Sequence, residues 1–387
     1  MDDTAIQLTI NRSLASIGKA SWDAVANPPG ERYDPFLSWD FLDALETTGA
    51  VSPSTGWTSC HLTIGGPGGR VRGAMPLYAK SHSRGEFVFD HSWADAFERS
   101  GGNYYPKLLS AVPFTPVTGR RRLVPQGPDA DRLKLALLSG ALQIATDNDC
   151  SSVHLNFVEQ KEADTLGENG LLHRTDQQFH WANEDYEDFD AFLGALSSAK
   201  RKNLRKERRK AAEGLSFAHL TGDAITEDHW DAFFRFYIDT GSRKWGAPYL
   251  NRDTFSLLGE RMSEKILLVM AFDNEVPIAG ALNLIGSDTL YGRYWGCIDP
   301  RPMLHFEVCY YQAIDFAIAH GLKYVEAGAQ GGHKLARGYA PVMTHSAHWI
   351  SNPGFRDAIA DYLDRERQAV AMDQDYLNER TPFKKSD

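Results

Sequence analysis

A chain of 387 residues is too long for one ordinary core and suits two domains of roughly 150 residues each. Its 42% hydrophobic and 24% charged residues fit a soluble globular protein and exclude wholesale disorder. A formal charge of −10 makes the whole molecule repel nucleic acid and anionic membrane, so any polyanion must meet a local basic patch. Cys60, Cys150, Cys297 and Cys309 lie far apart with no C-x-x-C spacing, and read as thiols in a reducing compartment. The opening MDDTAIQLTINRS has no basic segment followed by an apolar run, and no stretch approaches 18 apolar residues. The expectation is a cytoplasmic protein without a membrane span.

In chain order, 6–12 reads as a strand and 13–26 as a helix stopped by Asn27-Pro28-Pro29-Gly30. A helix through FLSWDFLDALETTG follows, then strands at 58–64 and 71–79 split by a glycine-rich hairpin loop. Residues 130–148 form an amphipathic helix, 151–157 a buried strand, 159–168 a helix and 171–181 an alternating strand. The second half repeats this syntax. Strand 215–221, helices 227–244 and 252–263, strands 265–272, 277–286 and 289–297, helix 304–320 and strand 323–329 follow one another. Residues 353–378 make a charged C-terminal helix. The order β-α-α-β-β-β-α-β is that of the GNAT fold, and the first half is a looser copy. The expected class is therefore α/β, with two tandem GNAT-like domains joined by a basic helix, each a mixed central sheet flanked by helices. The expected limits are 1–181, a linker at 182–212, and 213–387.

The linker DFDAFLGALSSAKRKNLRKERRKAAEG carries eight Lys or Arg and one acid, Glu207, between Lys200 and Lys210. On a helical wheel Phe189, Leu193, Leu196, Leu204 and Ala211 share one stripe, opposite Arg201, Lys202, Arg205, Lys206, Arg208 and Arg209. Solvated faces usually mix signs, and like charges four apart cost a few tenths of a kcal/mol each. The one-sided charge therefore points to polyanion or phosphate contact, against a plain solvated face. An unbroken helix puts Lys200 on the apolar stripe, and a break at Ser197-Ser198 removes that placement.

A basic helix between two GNAT folds resembles the FemABX peptidyltransferases. More narrowly, FDHSWADAFERSGGNYYPKLLSAVPFTPVTGRR and YGRYWGC…LHFEVCYYQAID…VEAGAQGGHKLARGYAP resemble a large bacterial group described as peptidoglycan biosynthesis/recognition proteins. The resemblance implies transfer of an amino acid from aminoacyl-tRNA, or another phosphate-bearing donor, to an amine on a small molecule or peptide, with no cofactor. CoA-dependent N-acetylation and non-catalytic recognition of peptidoglycan precursors or RNA remain the alternatives.

The remaining segments supply candidate site residues. In 87–107, Asp90, His91 and Tyr104 are read as lining a cleft in which Asp90 and His91 orient a substrate amine, against a helix whose aromatics are core. No H-E-x-x-H or comparable spacing suggests a metal. Arg120, Arg121 and Arg122 read as surface cations or a phosphate contact. Tyr291 and Arg293, on the strand before the helix, and His305 and Glu307, at its opening, are candidate substrate contacts. For Glu307 a capping role is the alternative. Acetyl-CoA enzymes carry glycines at that junction so that backbone N–H groups can wrap a pyrophosphate. Here Arg301-Pro302-Met303-Leu304-His305-Phe306 replaces them, which argues against CoA. After the last strand, Gly328, Gly331 and Gly332 suggest a flexible loop that offers Gln330, His333, Lys334 and Arg337. FemABX-like proteins have a lysine-containing segment here, matched equally by Lys334 and Arg337. Glu326 is read as a general base or as the partner of Arg337.

Overall fold

A computed structural model describes residues 6–65, 69–244, 248–328 and 331–384. The chain divides into two compact units, 1–176 with 343–371 and 177–342 with 372–387. This differs from the expected limits. The strand Leu172–Ala182 begins in the first unit and ends in the second, and Ala340–Ile350 runs the other way. Residues 345–350 return to the first unit because they pair antiparallel with Ser152–Val158. The helix Pro353–Asn378 then buries Ile359 and Leu363 with Trp93 and Tyr104. The linker residues belong to the second unit.

In the first unit, Trp57–Ser59, Tyr78–Lys80 and Lys107–Ser110 pair antiparallel in that order. Lys107–Ser110 then runs parallel to Ser152–Val158, joined to it by a connection that includes the helix Ala130–Asp147. A separate antiparallel sheet holds Leu8–Asn11, His61–Gly65 and Val71–Met75. Leu133, Leu137, Leu138 and Ala141, spaced for one helical face, bury against Leu62, Ile64, Val153 and Leu155.

The second unit shows the same connection more regularly. Ser216–Leu220, Ile266–Asp273, Val276–Ile285 and Thr289–Cys297 form an antiparallel run. Asn274 and Glu275 turn the hairpin between Ile266–Asp273 and Val276–Ile285 with φ of 47° and 69°, the positive values a two-residue hairpin turn requires. Thr289–Cys297 is parallel to Tyr324–Glu326, which pairs antiparallel with residues 180–182. The helix Glu227–Lys244 packs closely on the strands. A Cβ on Gly296 would stand 2.2 Å from the backbone of Phe236, so only glycine permits that approach. Both units are thus GNAT-like, each built on a parallel strand pair with a helix in the connection.

Most expected elements are present. The helix expected from 13 begins only at Lys19, after Gly18 with a φ of 80°. The helix through 36–49 is a 3₁₀ turn Pro35–Leu37 and then Trp39–Thr47, separated by the N-cap Ser38. The strands Lys107–Ser110 and Ala340–Ile350 were not anticipated. The linker is two helices, Phe189–Ala195 and Ser198–Ala211, because Leu196 is extended. The single wheel that put Lys200 on a continuous apolar stripe therefore does not apply.

Candidate functional site

The site in the second unit arises where two parallel strands part. Thr289–Cys297 and Tyr324–Glu326 stay in register only from Thr289↔Tyr324 to Tyr291↔Glu326. On its other side Thr289–Cys297 carries a bulge. Leu282 faces Tyr294 and Asn283 faces Gly292, leaving Arg293 as the extra residue. Bulges re-aim a side chain and bend the strand. Here the Arg293 side chain is buried, and its guanidinium donates to Glu326 at 3.0 Å. His180 Nε2 lies 3.9 Å from the same carboxylate. Burial, only partly offset by Glu326, holds the His180 pKa below its ordinary value.

The divergence leaves a cavity of about 130 Å3, with Asn283, Arg293, Trp295, His305, Cys309 and Tyr310 among its lining residues. His305 packs on Trp295 at 4.8 Å between ring centroids. The cavity is roofed by the helix running from Leu304 to Ala319, whose residues Glu307–Tyr311 form a π turn. Such turns concentrate at functional sites. Met303 precedes the helix with φ 67°.

The segment expected to be a flexible loop is instead a 3₁₀ helix, Gly332–Arg337, with two buried cations. Lys334 is 1% exposed and donates from Nζ to the Gly328 carbonyl at 2.7 Å. Burial first, and the charge of Arg293 second, push its pKa down to about 7. Arg337 does not pair with Glu326. It donates to Glu207 Oε2 at 2.9 Å and to the His333 carbonyl at 2.7 Å, and lies 3.4 Å from the Phe306 ring centroid. Gln330 lies outside the described residues.

The basic helix Ser198–Ala211 has two distinct faces. Inward, Glu207 accepts from Arg337 and from the Tyr311 hydroxyl at 2.6 Å. Arg208 binds Glu307 at 2.9 and 3.2 Å and Asp315 at 2.6 and 3.2 Å, stacking on Phe189. Arg208 is therefore a structural clamp and not one of the free cations. Glu307, buried and also bound by Gln312, is its anchor and not a substrate contact or a cap. Outward, Lys202, Lys206 and Arg209 are exposed, and Arg205 pairs with exposed Asp190. Lys200 and Arg201 are half-buried. Tyr291 is buried in its strand beneath the Arg293 guanidinium.

The candidates of the first unit are not brought into a cleft. Asp90, 2% exposed, accepts from Lys107 at 2.5 Å and from the Tyr104 hydroxyl at 2.7 Å. Lys107 also binds Glu86 at 2.8 Å, and Lys80 stands 3.8 Å from Glu86. These charges compensate one another inside the fold, where an isolated one would be untenable. His91 is exposed at the start of the helix His91–Arg99 and takes no part. Arg121 and Arg122 are likewise buried, bound to the carbonyls of Asn156 and Val117 and to Glu162 respectively.

Sequence reasoning thus named Arg293, Glu326, His305, His333, Lys334 and Arg337, which the structure gathers in one unit. It missed Asn283, Trp295, Tyr310 and Glu207. Only Glu207 had a visible signal, being the sole acid in a cationic run.

The fold is similar to known structures at low identity. The crystal structure of FemX has a TM-score of 0.55 and 13% identity, covering 89% of this chain and 98% of that one. The C-terminal domain of a putative lysylphosphatidylglycerol synthetase from Agrobacterium fabrum has a TM-score of 0.53 and 8% identity, covering 90% and 96%. A conserved protein of unknown function from Bacteroides thetaiotaomicron has a TM-score of 0.52 and 10% identity, covering 88% and 99%. No curated protein matches the chain. The model of the FemAB-like family, described as peptidoglycan biosynthesis/recognition, matches residues 13–385. The chain belongs to that family.

Proposed function

We propose that this protein transfers an aminoacyl group from an aminoacyl-tRNA to an amine of a peptidoglycan precursor. The observation that carries the reading is the cavity at the strand divergence, with Arg293 in its wall and the buried amine of Lys334 behind Gly328. Attack of an amine on an ester carbonyl builds negative charge on the carbonyl oxygen. Fixed cations in a water-poor site stabilise that charge far better than in solution. Holding amine and ester together supplies the rest, and no covalent enzyme intermediate or cofactor is invoked. The exposed Lys202, Lys206 and Arg209 offer the donor's phosphates a contact that the chain's net negative charge does not.

Acetyl-CoA fits less well. Its pyrophosphate would have to approach Leu304 and Phe306, where side chains replace the glycines that admit it. The test incubates the protein with tRNA charged with labelled amino acids and an amine-bearing peptidoglycan precursor. Label in the precursor supports the reading. Micromolar binding of acetyl-CoA with transfer of acetyl overturns it, and precursor binding with neither reaction leaves a recognition protein.

A further inference from the structure

Tyr310 and His333 connect the cavity to the surface. Tyr310 lines the cavity and is itself buried, and its hydroxyl lies 3.0 Å from Nε2 of His333. His333 is exposed. A phenol inside and an imidazole at solvent therefore share one hydrogen bond. The segment that carries the imidazole is braced. Arg337 donates to the His333 backbone carbonyl, Glu207 accepts from Arg337, and the Phe306 ring stands 5.5 Å from the imidazole. Gly331 adopts φ 122°, and a Cβ there would come within 2.5 Å of the His333 ring. Gly331 thus lets the ring lie against the backbone.

We propose that Tyr310 and His333 form the outlet through which the acceptor's ammonium proton leaves the cavity. The proposal rests on the aminoacyl-transfer reading. An acceptor amine reaches the enzyme at neutral pH as R–NH3+, which has no lone pair to attack with. One of its protons passes to the Tyr310 oxygen while the Tyr310 O–H proton passes to Nε2 of His333, and the imidazolium releases it to water. The freed pair forms the C–N bond at the ester carbonyl. When the tetrahedral intermediate collapses, the ester C–O bond breaks and the departing ribose oxygen takes the second proton of the nitrogen. One proton remains on the new amide, so the step balances with one proton released.

The surroundings suit both members. His333 faces Tyr310 and His305 from the helix, and Arg337 and Lys334 from its own segment. Burial and those two positive charges hold its pKa below the ordinary value, so a neutral, accepting imidazole prevails at pH 7. Burial pushes the Tyr310 phenol up, so it hands a proton on without itself ionising. Lys334 donates one N–H to the Gly328 carbonyl.

Two measurements test the outlet. Nitrogen-15 NMR of the His333 ring needs no substrate. A neutral ring with its proton on Nδ1, and loss of that preference in Tyr310→Phe, is expected. A ring that donates from Nε2 overturns the proposal. The second compares two acceptors with alanyl-tRNA as donor: a peptide with a lysine side chain, and hydroxylamine, which is already neutral at pH 7. Tyr310→Phe and His333→Gln should each lower kcat about a hundredfold for the lysine peptide, within the usual range for acid–base groups. KM should hold, the double variant should be no slower than either single one, and hydroxylamine should react as with wild type. Equal losses on both acceptors, or none, overturn the outlet while leaving transfer intact. If the wild type transfers to neither acceptor, the aminoacyl-transfer reading fails and the outlet falls with it.

Discussion

Replacing Lys334 by Met should leave a more stable and inactive protein, with a pH signature that identifies the cause. Lys334 has a folded pKa of about 7 because of its burial and the nearby Arg293 charge, against an ordinary value of 10.5. Between those values the unfolded chain binds a proton that the folded chain lacks. Wild-type stability from this group therefore rises with pH through that window, at roughly 1.4 kcal/mol per unit. Below pH 7 both states are protonated and the whole penalty is present, with an upper bound of roughly 5 kcal/mol. Methionine has no charge to desolvate but forfeits the bond to Gly328, about 1 kcal/mol. The variant should then be more stable by about 2–4 kcal/mol near pH 6.5, with the gap closing by pH 10. Urea unfolding of both proteins at pH 6.5, 8 and 9.5 reads this directly. The difference cancels groups common to both, including Lys80, which burial also pushes down to about 7. A difference that stays flat across pH 7–10 refutes the argument, because Lys334 would then titrate as an exposed lysine. Gain of stability with loss of turnover is the pattern of a residue kept for function.

Arg337→Ala should lower stability by about 2–3 kcal/mol, since it removes charge-assisted bonds and a cation–π contact; Glu207 keeps Tyr311 and some solvent, which limits the loss. Calorimetry showing no change in melting temperature would return Arg337 to the role of a free loop cation. Reversing Lys202, Lys206 and Arg209 to Glu should weaken RNA binding and reduce its salt slope by about 3, with melting unchanged. Arg208→Glu should instead destabilise, by facing Glu307 and Asp315 with a third negative charge. Asp90→Ala should cost about 3–5 kcal/mol by stranding Lys107, seen as an earlier urea midpoint. Burial would raise the Asp90 pKa, but the Lys107 charge outweighs it and holds the carboxyl well below its usual range. Its contribution is therefore complete above about pH 4 and lost as pH falls toward the folded pKa, so the wild-type advantage should shrink in acid urea titrations.

The second unit was legible because its elements are long and regular. Ile266–Asp273 and Val276–Ile285 are apolar runs around a two-residue turn, and Glu227–Lys244 has a clear helical period. Such local patterns survive without tertiary context. Ala340–Ile350 escaped notice because His345, Ser346 and His348 interrupt its apolar pattern; they are tolerated because Ser152–Val158 pairs alongside and His154 bonds His348.

The residue types of the site were also legible, but their roles were not. Gly328, Gly331 and Gly332 around His333, Lys334 and Arg337 look like a mobile cationic loop, since sequence shows composition and not burial. Only the fold brings Glu207, far away in the chain, against Arg337 and turns the loop into a braced helix. The same holds for Asp90, whose partner Lys107 carries no local signal. Sequence determined where strands, helices and charges lie along the chain, because those follow from nearest-neighbour periodicity. Which charges are spent on one another and which are left for a substrate depends on distances across the core, and only tertiary structure sets those.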